Sequence, residues 1–293
     1  MEPHKATFCI AAGCVVDEQL LIEELDLLRI APTHIIVDPR AVLLQTEDLA
    51  LERGRLDHIS STFSGTGAAL VRRMARGDSV ALAKDSKLLG SRCRVSSVAP
   101  LLHEALAKHA DVIIEGTQGF GLSLLHGPDY PFVTSRDTTA AGFAMEVGLS
   151  PRAISEIIMV VRTFPIRVGG VSGPFANEIS WEEVRAISNA PQAVLEYTSV
   201  TKKLRRVARF DLDAVKTACQ YNQPTSLAVM GLDRLNYSDT GASDFHGLSA
   251  RSKIFLSRLH SETGIPIAYA GTGFGTLDCV KVPAKVPQEL MHG

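Results

Sequence analysis

Charge of one sign is what this 293-residue sequence lacks most plainly: 30 Lys and Arg stand against 32 Asp and Glu, a formal net charge of -2. No global field therefore draws the chain to nucleic acid or to an anionic membrane, and any anion site must be local. CxxC pairs are also lacking. The five cysteines are odd in number and scattered, which fits a reducing compartment and argues against a zinc cage. No apolar run approaches the length of a membrane span, and "MEPHKATFCIAAG" has neither the basic head nor the long apolar stretch of a signal peptide. The expectation is a cytoplasmic protein with no membrane and no nucleic-acid partner. GxxxxGK[ST] does not occur, so a standard Walker loop is absent, as are low-complexity linkers and fixed-period repeats.

What is present is apolar material in short runs. Hydrophobic residues make up 45% of the chain, enough for a large core, and a single domain over 1–293 is expected. "ATFCIAAGCVV" and "HIIVDP" read as strands around the amphipathic "DEQLLIEELDLL". "SVAPLLHEALAKHA" then reads as helix and "DVIIEG" as a buried strand, and "SPRAISEIIMVVRTFPIRVG" as helix then strand. "FDLDAVKTACQYNQPTSLAVMGLDRL" and "GLSARSKIFLSRLHSETGIPIAYAGTG" repeat that order. The class is α/β, with a mostly parallel sheet and crossover helices. In such sheets ligands settle beyond the carboxyl ends of strands. Three polar loops follow predicted strands there, "EGTQGFG", "GLDRLNYSDTGASD" and "GTGFGTLD", and they are expected to share one rim.

Each candidate segment has a plain reading beside its chemical one. "ADVIIEGTQGFGLSLLHGPDYPFVTSRDTTAAG" crowds Gln118, His126, Asp129, Thr134 and Asp137 among glycines and prolines, and is equally a surface loop or a ligand cradle. "SSTFSGTGAALVRRMARGD" puts small hydroxyls and glycines ahead of a helical run, either an oxyanion site at a helix N-terminus or a capped helix with a loose entry. Downstream, Arg72, Arg73 and Arg76 are a solvated face or a reach toward an anion. "EYTSVTKKLRRVARFD" gathers Lys202, Lys203, Arg205, Arg206 and Arg209, a pattern for phosphates or carboxylates unless it is only a solvated run. Asp233 in "GLDRL" can accept two donors from a guanine edge or cap the next element. "GTGFG" is a tight turn or a base contact rather than a dinucleotide fingerprint, and His103 and His109, six apart, face different sides of their helix.

Taken in order, "ISSTFSGTGAAL", "EGTQGFGLSLLHGPDYPFVTSRDTTAAG", "RVGGVSGPF", "EYTSVTKKLRRVARFD", "GLDRL" and "IPIAYAGTG" resemble the adenylosuccinate synthetase family, most closely its shorter archaeal-type members, over nearly the whole chain. The resemblance implies an enzyme that joins aspartate to the 6-position of IMP, with GTP and Mg2+ activating the 6-oxygen as a phosphate ester. It implies nucleotide contacts at Gln118 and Thr134, a hydroxyl pair near the nucleotide phosphate at Ser61 and Thr62, and an arginine, Arg76, reaching across a homodimer. It also implies carboxylate binding at Thr201, Lys203 and Arg205, with guanine read by Asp233 and packed by Gly271 and Gly273. Lys203 and Leu204 stand where many members have arginines, and a lysine cannot reproduce a bidentate fork. The family's GDEGKGK-type loop and NAGH-type segment, which carry the catalytic aspartate, the catalytic histidine and the magnesium ligand, do not occur in this sequence. No catalytic residue is therefore expected on it, and His4 is no substitute.

Three readings follow from this departure: an incomplete or split ligase whose phosphate loop comes from a separate chain, a nucleotide-binding paralogue or partner subunit, and a relative acting on a guanine deoxynucleotide.

Overall fold

The structure, a computed structural model, describes residues 6–55, 59–61, 63–78, 80–198 and 202–283. Two compact units divide the chain, Met1–Ile154 and Ser155–Gly293.

In the first unit, strands β1 (Phe8–Ile10), β3 (Ile35–Val37) and β5 (Arg94–Val95) form a parallel sheet in the order β1-β3-β5. The central strand is all β-branched and fully buried, as parallel strands covered on both faces are. A second parallel ladder joins β2 (Val15–Val16) to β4 (Val42–Leu43). The stretch read as one opening strand is thus two, broken where the Cys14 amide turns back to the Ala11 carbonyl. Helix α1 (Glu18–Leu28) starts at Asp17, whose side chain accepts from the Leu20 amide, and it buries Ile22 and Leu25. Helices α2 (Thr46–Arg55), α3 (Thr66–Ala75), α4 (Lys87–Arg92), α5 (Val98–Ala107) and α6 (Ala140–Val147) complete the unit.

One expected strand is absent. Residues 111–116 alternate as a strand would, with Val112 and Ile114 packed beside Val98 and Leu102, but Ile113 is 77% exposed and the segment joins no ladder among the described residues. Apolar alternation sets which side chains turn inward; a strand also needs a neighbouring backbone to bond to. The helix expected from "SPRAISEII" shrinks to one 3-10 turn, Pro151–Ala153. The backbone beyond it is extended, with the Ile157 amide donating to the Thr225 hydroxyl.

Asp38, at the carboxyl end of β3, holds this unit's loops together. Its buried carboxylate accepts from the amide of Val98, which opens α5, from the Arg40 amide, and from Arg40 Nε and Nη2, each at 2.9–3.0 Å. Burial pushes this carboxyl up, but the donors from Arg40 and Val98 outweigh it and hold it at about 2. A depressed carboxyl contributes stability that is present above its unfolded value near 4 and lost as pH falls through 2, here about 2 kcal/mol. Urea midpoints measured from pH 6 to pH 2 should fall with that profile. Asp38→Asn should begin about 2 kcal/mol less stable and lack this component.

In the second unit, β10 (Ser226–Met230) lies between β6 (Ile158–Arg162) and β11 (Ile267–Gly271), parallel to both, and β12 (Cys279–Lys281) adds an antiparallel edge. A separate antiparallel sheet, outside the parallel expectation, runs β7 (Ile166–Arg167), β9 (Arg206–Ala208), β8 (Glu178–Ile179). Helix α7 (Trp181–Ser188) opens with a full capping box, Ser180 and Glu183 each satisfying the other's backbone amide. Helices α8 (Leu212–Asn222) and α9 (Ala250–Thr263) are capped by Asp211 and Ser249. Leu227, Val229, Leu232, Leu256 and Leu259 centre the core.

Candidate functional site

The carboxyl end of β10 is where the second unit builds a cleft. Gly231 follows the strand at φ 90°, a left-handed conformation that costs glycine little, and a Cβ there would lie 2.9 Å from the Thr163 hydroxyl. Its amide donates to the carbonyl of Gly271 at the end of β11, and Thr163 Oγ1 donates to its carbonyl at 2.7 Å. This turn throws residues 232–234 across the strand ends. The loop after β11 meets the one after β10 through Gly241 N to Thr272 O and Thr272 Oγ1 to Ala242 O. Two of the three polar loops expected at one rim are thus side by side; the third, "EGTQGFG", belongs to the first unit.

Between them lies a cleft of about 280 Å3, lined by Val184 of α7, Asp233, Arg234, Tyr237, Gly273 and Phe274, among others. Burial pushes the Asp233 carboxyl up, against the pull of Arg234 and of its own amide. Gly273 is required by its neighbour, since a Cβ would come 2.5 Å from Asp278 Oδ2, the same oxygen that accepts from the Gly275 amide at 2.7 Å. Gly271 does not line the cleft; it anchors Gly231 and packs against Met230.

Arg234, 6% exposed, forms the cleft's back wall. Its guanidinium sits 5.3 Å from the Trp181 ring centre and 5.4 Å from that of Phe274. Glu196 pairs with both Arg234 and Arg162. None of Arg162, Trp181, Glu196, Arg234 and Phe274 was expected from the sequence. The available signals were thin: a lone tryptophan inside a capping box, and an arginine beside the candidate aspartate.

Glu196 also opens the basic segment, which is a hairpin. Tyr197 bridges Leu204, the Arg205 amide donates to the Glu196 carbonyl at 2.8 Å, and the Thr198 amide to the Lys203 carbonyl at 2.9 Å. Arg206 and Arg209 are already paired, with Glu178 and Glu183, so the solvated-run reading suits those two. Lys202, Lys203 and Arg205 stay on the hairpin, Lys203 exposed and Arg205 half-buried. Gly169 lets the neighbouring turn approach, because a Cβ there would collide with the Leu204 carbonyl.

The first unit holds the remaining candidates. Gln118 is exposed at φ 65°, and Thr134 is half-buried with its amide bonded to the Leu122 carbonyl. The long loop is internally braced: Ser123 Oγ donates to Asp137 at 2.6 Å, the Leu124 amide to the Arg136 carbonyl, and Thr138 Oγ1 to the Gly119 carbonyl. Ser61 Oγ accepts from the Phe63 amide. Thr62, Thr201 and His4 lie outside the described residues.

The start of α3 departs from the anion-site expectation. Its N-cap, Gly65, has no side chain, and the buried carboxylate of Glu52 on α2 accepts from the amides of Gly65, Gly67 and Ala68 at 2.8, 2.7 and 3.3 Å. A helix N-terminus attracts negative charge, and here the chain supplies it. Arg72 is bound by Asp48 and Arg73 by the carbonyls of Ala12 and Arg40, whereas Arg76 is exposed at the end of α3 with no side-chain partner among the described residues. Also among the described residues, no three His, Cys, Asp or Glu side chains converge on a point.

A family model described as adenylosuccinate synthetase matches residues 80–242. Curated adenylosuccinate synthetases of Methanocaldococcus jannaschii and Methanococcus vannielii are each 36% identical over 278 residues, 92% of this chain and 77% of each relative. Among solved structures, a cyanophage S-2L succinoaminodeoxyadenylate synthetase, bound to dGMP and to dATP as an energy donor, matches with a TM-score of 0.78 at 24% identity, over 95% of this chain and 77% of that one. Fully ligated adenylosuccinate synthetase from Plasmodium falciparum matches with a TM-score of 0.78 at 17% identity, over 94% and 84%. These two likenesses establish the fold. No helix among the described residues is long and apolar enough to cross a membrane.

Proposed function

The chain belongs to the adenylosuccinate synthetase family, and from that premise we propose that it holds the nucleotide and aspartate sites of a ligase that joins aspartate to C6 of IMP with GTP as the energy donor. The carrying observation is Asp233 in the lining of the cleft. A carboxylate offers acceptors alone, and guanine presents two adjacent donors, N1–H and the 2-amino group. Adenine presents one amino donor beside an acceptor nitrogen. The cleft therefore favours GTP over ATP. Gly273 gives the base edge close approach to backbone, and Phe274 gives it an aromatic face.

Within this reading Gln118 and Thr134 contact the acceptor nucleotide, Ser61 and Thr62 stand by its phosphate, and Thr201, Lys203 and Arg205 take the carboxylates of aspartate. Phosphoryl and amine transfer are then matters of positioning and charge, which these groups supply. Arg76, exposed and without a side-chain partner among the described residues, is the group proposed to reach a second copy of the chain in a homodimer. The two units act together as one synthetase-like domain.

Thermal unfolding with added nucleotide tests the reading. A ligand held at a hundred times its Kd stabilises the native state by about 2.7 kcal/mol, a rise of several degrees for a chain of this size. IMP and GTP should each raise the Tm, GTP more than ATP at equal concentration. Unchanged melting with millimolar IMP and GTP would sink the reading. A larger shift with dGMP and dATP than with IMP and GTP would move it to the deoxynucleotide reaction.

A further inference from the structure

The base cleft and the basic hairpin of the second unit are joined at two points, and both joints run through Arg234. First, the Arg234 guanidinium pairs with the carboxylate of Glu196, while the carbonyl of that same residue accepts the Arg205 amide. Second, Arg234 lies against the Trp181 ring, whose Nε1 donates to the Arg205 carbonyl at 2.8 Å. Arg205 is thus held on its amide side through Glu196 and on its carbonyl side through Trp181. Both holding groups touch the cleft's back wall.

The wall is set up to respond to an occupant. Phe274, which lines the cleft 5.4 Å from Arg234, is 72% exposed, whereas Trp181, outside the lining, is 7% exposed. One aromatic neighbour of the arginine is therefore held in the core and the other is open to solvent. The charges are also unequal. Glu196 is one carboxylate shared by two guanidiniums, Arg162 and Arg234; Asp233 faces all three of these groups, and Arg205 faces Arg162. A base that takes up the Asp233 carboxylate alters how strongly Arg234 leans on Glu196. An anion on Arg205 alters the same balance from the hairpin side.

We propose that Glu196 and Arg234 are positioning residues that couple the two sites, so that a purine base in the cleft and a dicarboxylate on the hairpin bind with positive cooperativity. The inference rests on the proposed function, in that it takes the cleft as a base site and the hairpin as a carboxylate site. It adds that neither fills independently of the other. Two-site coupling of this kind is reciprocal: each ligand improves the other's affinity by one common factor.

The test needs no label, because Trp181 is the chain's one tryptophan and stands at the joint. Guanosine, which has a base and no phosphate, is titrated into the intact protein with and without saturating L-aspartate, then the reverse, following tryptophan emission. Guanosine is expected to shift the emission, and each ligand to tighten the other about tenfold. Glu196→Gln, which keeps the shape and an acceptor but removes the charge, should bring that factor to about one. Binding of both ligands to the unmodified protein with no mutual effect would overturn the coupling while leaving the proposed function intact. Failure of guanosine to bind, with flat emission and an unmoved Tm, would bring down the reading of the cleft and the coupling with it. The unmodified protein carries the deciding measurement, so the outcome does not depend on whether the variant folds.

Discussion

Asp233→Asn should weaken GTP binding by roughly 30-fold, about 2 kcal/mol, and make the protein prefer a xanthine nucleotide. The carboxylate accepts from both guanine donors; an asparagine amide has one acceptor and one donor. The donor would face the guanine 2-amino group, leaving two buried donors opposed. Xanthine carries an oxygen at that position and restores the pair. Buried polar groups are costly when unsatisfied, which makes the switch one of sign as well as size.

The pH response supplies a second signature. Burial raises the Asp233 carboxyl, with Arg234 and its own amide pulling the other way. Guanine needs the ionised form, so GTP affinity should hold at neutral pH and fall on acidification, with a midpoint above the ordinary carboxylate value of about 3.9. Asp233→Asn should show no such midpoint. Calorimetric titrations with GTP and its xanthine analogue from pH 8 down to pH 4 measure both. Equal GTP affinity in the variant would remove Asp233 from base recognition.

Loss of the Glu52 carboxylate is expected to be among the costly polar changes in the first unit. Glu52→Ala strands three amides at the buried start of α3 and should destabilise the protein by about 3 kcal/mol, read from urea midpoints followed by circular dichroism. Glu52→Gln keeps one acceptor and should cost about 1 kcal/mol. Because the alanine variant leaves a vacant, positively polarised helix end, phosphate should recover part of the loss and chloride at equal ionic strength should not. A cost within about 0.5 kcal/mol would show that water replaces the carboxylate without strain.

Glu52 also shows where sequence reading stops. Hydroxyls and glycines ahead of a helical run do mark an N-terminus that wants an anion. Nothing in that motif reveals that a carboxylate 13 residues upstream of Gly65 already answers it. Asp233 was placed beyond a strand by the sequence pattern and stands three residues past the end of β10, whereas Gly273 was named through the resemblance alone. Arg234, Trp181 and Glu196 were not legible, since their meeting depends on tertiary folding across separations that no local pattern encodes: Trp181 reaches Arg205 and Glu196 reaches Arg234. Helices α1, α5, α8 and α9 came through clearly, as amphipathic runs, three of them opened by a capping Asp or Ser. Residues 111–116 did not, because periodicity describes side chains and a ladder is a property of two backbones.

The close approach at Gly169 ties two distant segments of the gene together. The Leu204 carbonyl rests where any larger residue at 169 would place its first carbon. The glycine in "RVGGVSG" and the length of the basic hairpin therefore cannot drift independently. A relative that lengthens or shortens the hairpin frees position 169 to take a side chain, and one that keeps the hairpin must keep the glycine. Across the lineage the two should change together or not at all.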